Sequence, residues 1–236
     1  MSARRRSTFY WAMRLLPRAR REALFALYDI ARAIDDVADG PGSAMERRAG
    51  LERWRRQVAA IYEGTPDDPV ALAFRPHAHA FGLPRAELDA LIDGQAMDLE
   101  PQKFDEALFV LYCRRVAGTI GMLSLPIFGA SGEGAHRYAL ALGEALQRVN
   151  VLRDIDEDAA RGRDYLPEPR DAFAARAAEK LAAARAMLPG LDRHALRPAI
   201  VMGELYATLL ARVRAGRRLS RLDKLVAVLR GLWASR

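Results

Sequence analysis

The chain has 236 residues, 51% of them hydrophobic, and a formal net charge of +7 at pH 7, enough to bury a sizeable core within one domain. A single cysteine, Cys113, excludes an internal disulfide framework and suits a reducing compartment. No apolar run reaches the roughly 18 to 20 residues of a membrane span, and no apolar signal region follows Arg4-Arg5-Arg6, so the expectation is a cytoplasmic protein whose charge suits an anionic partner.

In chain order, Ser7 to Leu16 forms an opening segment that Pro17 breaks. Arg18 to Ile34 reads as an amphipathic helix with Leu24, Leu27, Tyr28 and Ala31 on one side, and it runs into Arg32-Ala33-Ile34-Asp35-Asp36-Val37-Ala38-Asp39. Gly40 to Ser43 is a loop, and Ala44 to Tyr62 is a charged helix with one stripe of Leu51, Trp54, Val58 and Ile61. After a turn at Thr65 to Pro69, His77 and His79 lie in a short helix. Two residues apart, they do not share a helical face and are not a metal pair.

Pro84 to Met97 is the next helix, opening onto Asp98-Leu99-Glu100, and Phe104 to Phe128 follows. Within the latter, Gly118 and Gly121 strip one face of side chains, which permits close helix packing or leaves room for a ligand. Ala139 to Val151 has helical periodicity and leads into Arg153-Asp154-Ile155-Asp156-Glu157-Asp158. Pro167-Glu168-Pro169 separates this from helices at Arg170 to Met187, Leu196 to Val213 and Arg217 to Trp233. The last places Leu222, Val226, Leu229 and Trp233 on one side among basic residues, a pattern that packs on its own domain or rests on an anionic membrane surface. No period-two strand pattern stands between turn signals, so the fold class is all-α. Neither a dinucleotide-binding glycine turn nor a nucleic-acid module is recognisable, and nucleic acid is set aside as a partner.

The two acidic runs carry the chemistry. Asp35 and Asp39, and again Asp154 and Asp158, are four residues apart and share a helical face. Closely set carboxylates repel unless a cation sits among them. A hard ion such as Mg2+ takes one or two carboxylates and completes its shell with water and phosphate oxygens. Arg32, Arg153 and Arg163 stand close to the pairs, and guanidinium groups fork onto phosphate oxygens. Together they predict a site for a diphosphate bound through Mg2+.

Four segments then carry a resemblance. Ser7 to Pro17, the Asp35/Asp39 motif with Tyr28 and Arg32 before it, Tyr112 to Gly121, and Asn150 to Asp158 with Gly162-Arg163-Asp164-Tyr165-Leu166-Pro167 occur in the order and spacing of the squalene and phytoene synthases. The chain is similar to that family of head-to-head prenyl-coupling enzymes over roughly residues 5 to 170. It departs at Arg6, where a small hydroxyl residue is frequent, and after Pro169, where the family has a longer insertion.

The resemblance implies a single isoprenoid synthase domain over residues 1–236, a helical bundle around a central cavity. It implies Asp35, Asp39, Asp154 and Asp158 as metal ligands for Mg2+, with Mn2+ as a substitute, and Tyr28 and Tyr165 as catalytic candidates. Thr8, Phe9, Arg32, Tyr112, Val116, Gln147, Asn150, Arg153 and Arg163 would bind substrate. Among its members the opening segment most resembles bacterial enzymes that couple two farnesyl diphosphates to presqualene diphosphate, for squalene and hopanoid synthesis and with no nicotinamide in that half-reaction. The alternatives are coupling of two geranylgeranyl diphosphates to phytoene, or a non-catalytic assembly relative, which retention of all four aspartates disfavours. The expected location is the cytoplasm, with peripheral contact at the inner membrane face through the basic C-terminal helix.

Overall fold

The computed structural model describes residues 16–100 and 102–236. The expected contributions of Thr8 and Phe9 lie outside the described residues. Ten α-helices and no strand occur among the described residues, in agreement with the all-α expectation. They are α1 (Arg18–Ala38), α2 (Ala44–Glu63), α3 (Pro69–Ala80), α4 (Arg85–Ala96), α5 (Glu106–Cys113), α6 (Thr119–Phe128), α7 (Glu133–Ala160), α8 (Arg170–Ala186), α9 (Arg197–Arg214) and α10 (Arg221–Ala234).

Local chemistry sets the helix starts. Ser43 and Glu46 form a reciprocal capping box for α2, Asp68 accepts from the Val70 and Ala71 amides ahead of α3, and Asp105 accepts from Leu108 N–H ahead of α5. A second capping box, Ser220 with Asp223, delays α10 to Arg221, four residues later than the apolar periodicity suggests. Such side-chain acceptors satisfy amides that lack an intrahelical partner.

α5 and α6 are joined through a π-helical stretch, Arg114–Gly118, into one rod from Glu106 to Phe128. At 23 residues and a mean hydropathy of 1.4, this rod is long and apolar enough to cross a membrane by length and composition, contrary to the sequence expectation. The Arg114-Arg115 pair masks that length in the sequence. In the fold, Arg114 forks onto buried Glu87 of α4 through two bonds of 2.8 Å, and the rod packs against α1, α4 and α7. Its Phe109, Tyr112, Leu123, Leu125, Ile127 and Phe128 are buried in the core.

Three groups of buried side chains fill the bundle. Leu24, Leu27, Ile30 and Ile34 of α1 meet Leu88, Leu91 and Ile92 of α4 and Leu123 of α6. Phe109, Phe173, Val149 and Leu205 join α5, α8, α7 and α9. Tyr138, Leu142, Leu125 and Ile200 close the far end of the bundle. Each fully buried leucine of this kind contributes about 2 kcal/mol through removal of apolar surface from water. The short link after Pro169 does not leave this side open, because α8 starts at Arg170 and packs along α7 through Phe173, Ala174 and Ala177. His79 meets the Ile61 carbonyl at 2.8 Å, a structural contact between α3 and α2.

Candidate active site

The C-terminal ends of α1 and α7 carry the two acidic pairs, and the loop after α7 draws them together. Gly162, at φ +73, turns the chain in a conformation a side chain would strain. Arg161 at the end of α7 and Arg163 beyond the turn reach Asp39, at 2.7 Å to Oδ2 and 2.6 Å to Oδ1, so one carboxylate of the first motif is held between two guanidinium groups of the second. Arg163 also donates to the Ala38 carbonyl at 3.4 Å, which ties the loop to the end of α1.

Burial, then the negative charge of Asp39, pushes the Asp35 carboxyl up to about 6, with Arg32 and Arg163 opposing. Asp158 is likewise pushed up to about 6 by burial and by Asp154, with Arg163 and Arg161 opposing. Arg163 opposes the rise of one carboxyl in each pair. Asp154 is held by Arg153 through two bonds of 2.7 and 2.5 Å, whereas Arg32 turns toward solvent-exposed Asp36 at 3.0 Å.

Among the described residues no three acidic, histidine or cysteine side chains converge as a ready metal cage. The donor set nevertheless fits a hard cation. Two carboxylate pairs, each with one member whose ionisation its neighbours resist, gain most from an added positive charge, and Mg2+ needs only one or two carboxylates when phosphate completes its shell.

Directly below this polar end lies an apolar cavity of about 210 Å³. Val116, Ile120, Gly121 and Phe128 line one wall, and α7 supplies the other from Asn150 and Gln147 down to Tyr138. From Asn150 to Tyr138 the wall extends about 18 Å at the α-helical rise. The π stretch turns Val116 and Ala117 toward this space, while Gly121 approaches the Ala139 carbonyl so closely that an added Cβ would lie 3.0 Å from it. The glycines flanking this segment thus serve both roles the sequence allowed. At the cavity's polar end Tyr206 Oη donates to Asn150 Oδ1 at 3.0 Å, and Asn150 donates to Gln147 Oε1 at 3.2 Å. Tyr206 of α9 therefore belongs to the cavity lining.

Tyr112 and Tyr165 sit elsewhere than expected. Both hydroxyls donate to Asp98, at 3.0 Å to Oδ2 and 2.7 Å to Oδ1, and their rings stack with centroids 5.1 Å apart. This buried group borders a separate polar cleft of about 180 Å³ shared with Asp39, Arg161 and Arg163, and neither tyrosine lines the apolar cavity. Tyr112 therefore does not wall the cavity. Tyr165, its hydroxyl pushed well above the usual range by burial and Asp98, is not placed as a base there. Tyr28, half-buried on α1 against the first core group, is likewise absent from that lining.

Asp98, which follows α4, is the centre of this group. Burial raises its carboxyl to about 6 against the pull of Tyr165, Arg163 and Tyr112. Tyr165→Phe removes one of its two hydroxyl donors and is expected to cost about 1 to 2 kcal/mol. The loss should be larger above pH 6, where Asp98 is ionised, than at pH 5, and urea denaturation at both values checks it. An equal loss at the two would detach the hydroxyl from the charge on Asp98.

The sequence model of the family described as "Squalene/phytoene synthase" matches residues 2–169. Presqualene diphosphate synthase of Rhodopseudomonas palustris is 46% identical over 164 residues, covering 68% of this chain and 58% of that protein. Its counterpart in Zymomonas mobilis is 46% identical over 170 residues, again spanning 58% of that protein. Phytoene synthase of Mycobacterium tuberculosis is 37% identical over 237 residues, covering 88% of this chain and 77% of that one. The chain thus spans under two thirds of the length of the presqualene relatives. Among solved structures, a dehydrosqualene synthase superposes with a TM-score of 0.83 at 24% identity, covering 96% of this chain and 90% of that one. A squalene synthase from Alicyclobacillus acidocaldarius gives 0.79 at 22%, covering 90% of each. At these identities the two share the fold.

Proposed function

Because this chain belongs to the squalene/phytoene synthase family, we propose that it couples two farnesyl diphosphates head to head into presqualene diphosphate. The observation that carries this reading is the continuity of α7: Gln147 and Asn150 line an apolar cavity, and Asp154 and Asp158 follow one and two turns later among the arginines. A prenyl diphosphate has the same layout, an apolar chain ending in a polyanion.

In this reading Arg161 and Arg163 bind diphosphate oxygens at the end of α1, and Arg153 does so beside Asp154. Mg2+, or Mn2+ in its place, held by Asp35, Asp39, Asp154 and Asp158, would supply charge neutralisation as the diphosphate departs. Ionisation breaks the allylic C–O bond and leaves its electron pair on the diphosphate. Val116, Ile120, Leu142 and Leu146 keep water from the allylic cation and hold it against the double bond of the second chain. The new carbon–carbon bond forms there, and proton loss closes the cyclopropane. Tyr165 faces Asp98, so the released diphosphate serves as the base in this scheme.

Incubating the protein with farnesyl diphosphate and Mg2+, without nicotinamide, tests the reading. Presqualene diphosphate should accumulate, and an Asp154→Ala variant should not make it. If neither farnesyl nor geranylgeranyl diphosphate releases diphosphate, a non-catalytic role replaces it.

A second reading, phytoene synthesis from two geranylgeranyl diphosphates, is favoured by the longer match to the mycobacterial relative. Feeding each diphosphate separately distinguishes the two. Phe128 stands with Tyr138 and Leu196 at the cavity end remote from the aspartates. Phe128→Ala is expected to shift the ratio of kcat/KM for geranylgeranyl over farnesyl diphosphate upward by about tenfold, the effect of one or two methylenes in an apolar pocket. No shift would place the chain-length limit elsewhere.

A further inference from the structure

Five of the ten large hydrophobic side chains exposed among the described residues lie on α10: Leu222, Leu225, Val226, Leu229 and Trp233, the last 73% exposed. They share one face. The opposite face carries Ala227 and Gly231, both buried. Gly231 lies so close to α9 that an added Cβ would be 2.7 Å from Val201 Cα. α10 thus docks through Ala227 and Gly231, with Val228 and Leu232 packed partly buried beside them, and turns its larger apolar stripe outward.

The surroundings of the stripe are basic. From Arg214 to Arg236 the sequence holds seven cations and one acid, Asp223. Asp223 is already taken by Arg212 at 2.6 Å and by the Ser220 cap. Helical geometry sets Arg221 and Arg230 on the two flanks of the stripe. Before the helix, Arg217 and Arg218 join Arg153, Arg170 and Lys224 around a groove of about 640 Å³, whose one acidic lining residue is Asp156.

We propose that α10 and the basic segment before it form a docking surface for a bilayer rich in anionic phospholipid, with the stripe entering the acyl boundary and Arg217, Arg218, Arg221 and Arg230 holding headgroup phosphates. Charge complementarity selects this occupant. A stripe edged by cations on both sides matches an interface that is apolar within and negative at its rim. A second copy of the chain would set seven cations against seven. The terminal Trp233 suits the headgroup level, where amphipathic rings concentrate. The surface would bring the cavity to a phase that collects apolar chains, but binding is read independently of turnover.

The test uses the full chain with phosphatidylcholine–phosphatidylglycerol vesicles, and phosphatidylcholine vesicles as the comparison, in a sedimentation assay. The protein should pellet with the anionic vesicles and be released by salt. Trp233 emission, taken as the difference from a Trp233→Phe variant, should shift to the blue in the same samples. Leu225→Ser with Leu229→Ser should lower the bound fraction, and Arg217→Ser with Arg218→Ser should lower it on the order of tenfold, each at unchanged melting temperature and unchanged turnover of detergent-dispersed substrate. Protein that stays in the supernatant with anionic vesicles overturns the proposal. So does equal binding to neutral vesicles, or self-association in sedimentation velocity that the leucine substitutions abolish, which would assign the stripe to a second copy.

Discussion

Replacing Asp35 with asparagine is expected to lower turnover of prenyl diphosphate by about 10²- to 10³-fold, as loss of one positioned electrostatic group does, while raising the melting temperature of the metal-free protein. The two effects have one cause. The Asp35 carboxyl stands at about 6 against an ordinary 3.8, first because it is buried and then because Asp39 lies four residues on. Its folded value exceeds its unfolded one, so the folded chain binds the proton more tightly. Stability of the parent protein therefore rises as pH falls through about 6 and levels off below about 4. At pH 8 the ionised carboxylate weakens the fold by on the order of 2 kcal/mol, which the neutral isostere relieves. For a chain of this size that corresponds to roughly 4 to 8 °C.

Thermal scans in EDTA at pH 8 and pH 4 make the check. The variant should lead at pH 8 and the lead should vanish at pH 4. Added Mg2+ should then stabilise the parent more than the variant, because the ion binds the native carboxylates. An identical lead at both pH values would mean that the gain has nothing to do with Asp35 ionisation. Unimpaired turnover would remove Asp35 from the site altogether.

Such a trade of stability for charge is visible in the sequence because it repeats: two aspartate pairs at helical spacing, each ending an apolar helix, are a local pattern. The helices were legible for the same reason, as was the cavity wall on α7, where Gln147 and Asn150 fall on the face of Asp154. What depends on partners distant in sequence was not. Asp98 is one charge between Met97 and Leu99, and its role appears only when Tyr112 and Tyr165, from two other segments, close on it. Arg161 differs from other surface arginines only through its bond to Asp39, which is distant in sequence. The stripe of α10 misleads a pattern reading more deeply. Periodicity reports that a helix has an apolar face, and by default assigns that face to the core. Here Ala227 and Gly231 let the backbones approach, Val228 and Leu232 pack partly buried beside them, and the five residues of the stripe are left outside.

Arg148 poses the same problem in reverse, as a charge in an interior position. Its side chain is 0% exposed, and it pairs with Glu144 at 2.9 Å and with Glu106, while Nη1 has no hydrogen-bond partner. The guanidinium carbon lies 4.9 Å from the Phe109 ring centroid and 5.2 Å from that of Phe173. Those rings belong to α5 and α8, so one side chain of α7 is gripped by both neighbours.

Arg148→Met retains volume and removes the charge. The expected loss is about 3 kcal/mol, the lower end for breaking a buried pair, because Lys180 still holds Glu144 at 2.9 Å. Urea denaturation measures it, and a loss below about 1 kcal/mol would show the network to be dispensable. Adding Glu144→Leu should restore part of the loss, since an apolar replacement of a whole buried network is commonly tolerated where half of one is not.

Stability is then separable from position. Arg148 follows Gln147 and precedes Asn150 by two residues, so whatever fixes its rotation about the α7 axis also fixes theirs, and with them Asp154 one turn on. If the ion pair orients α7, the double variant regains stability but not turnover. If it only stabilises, the two return together.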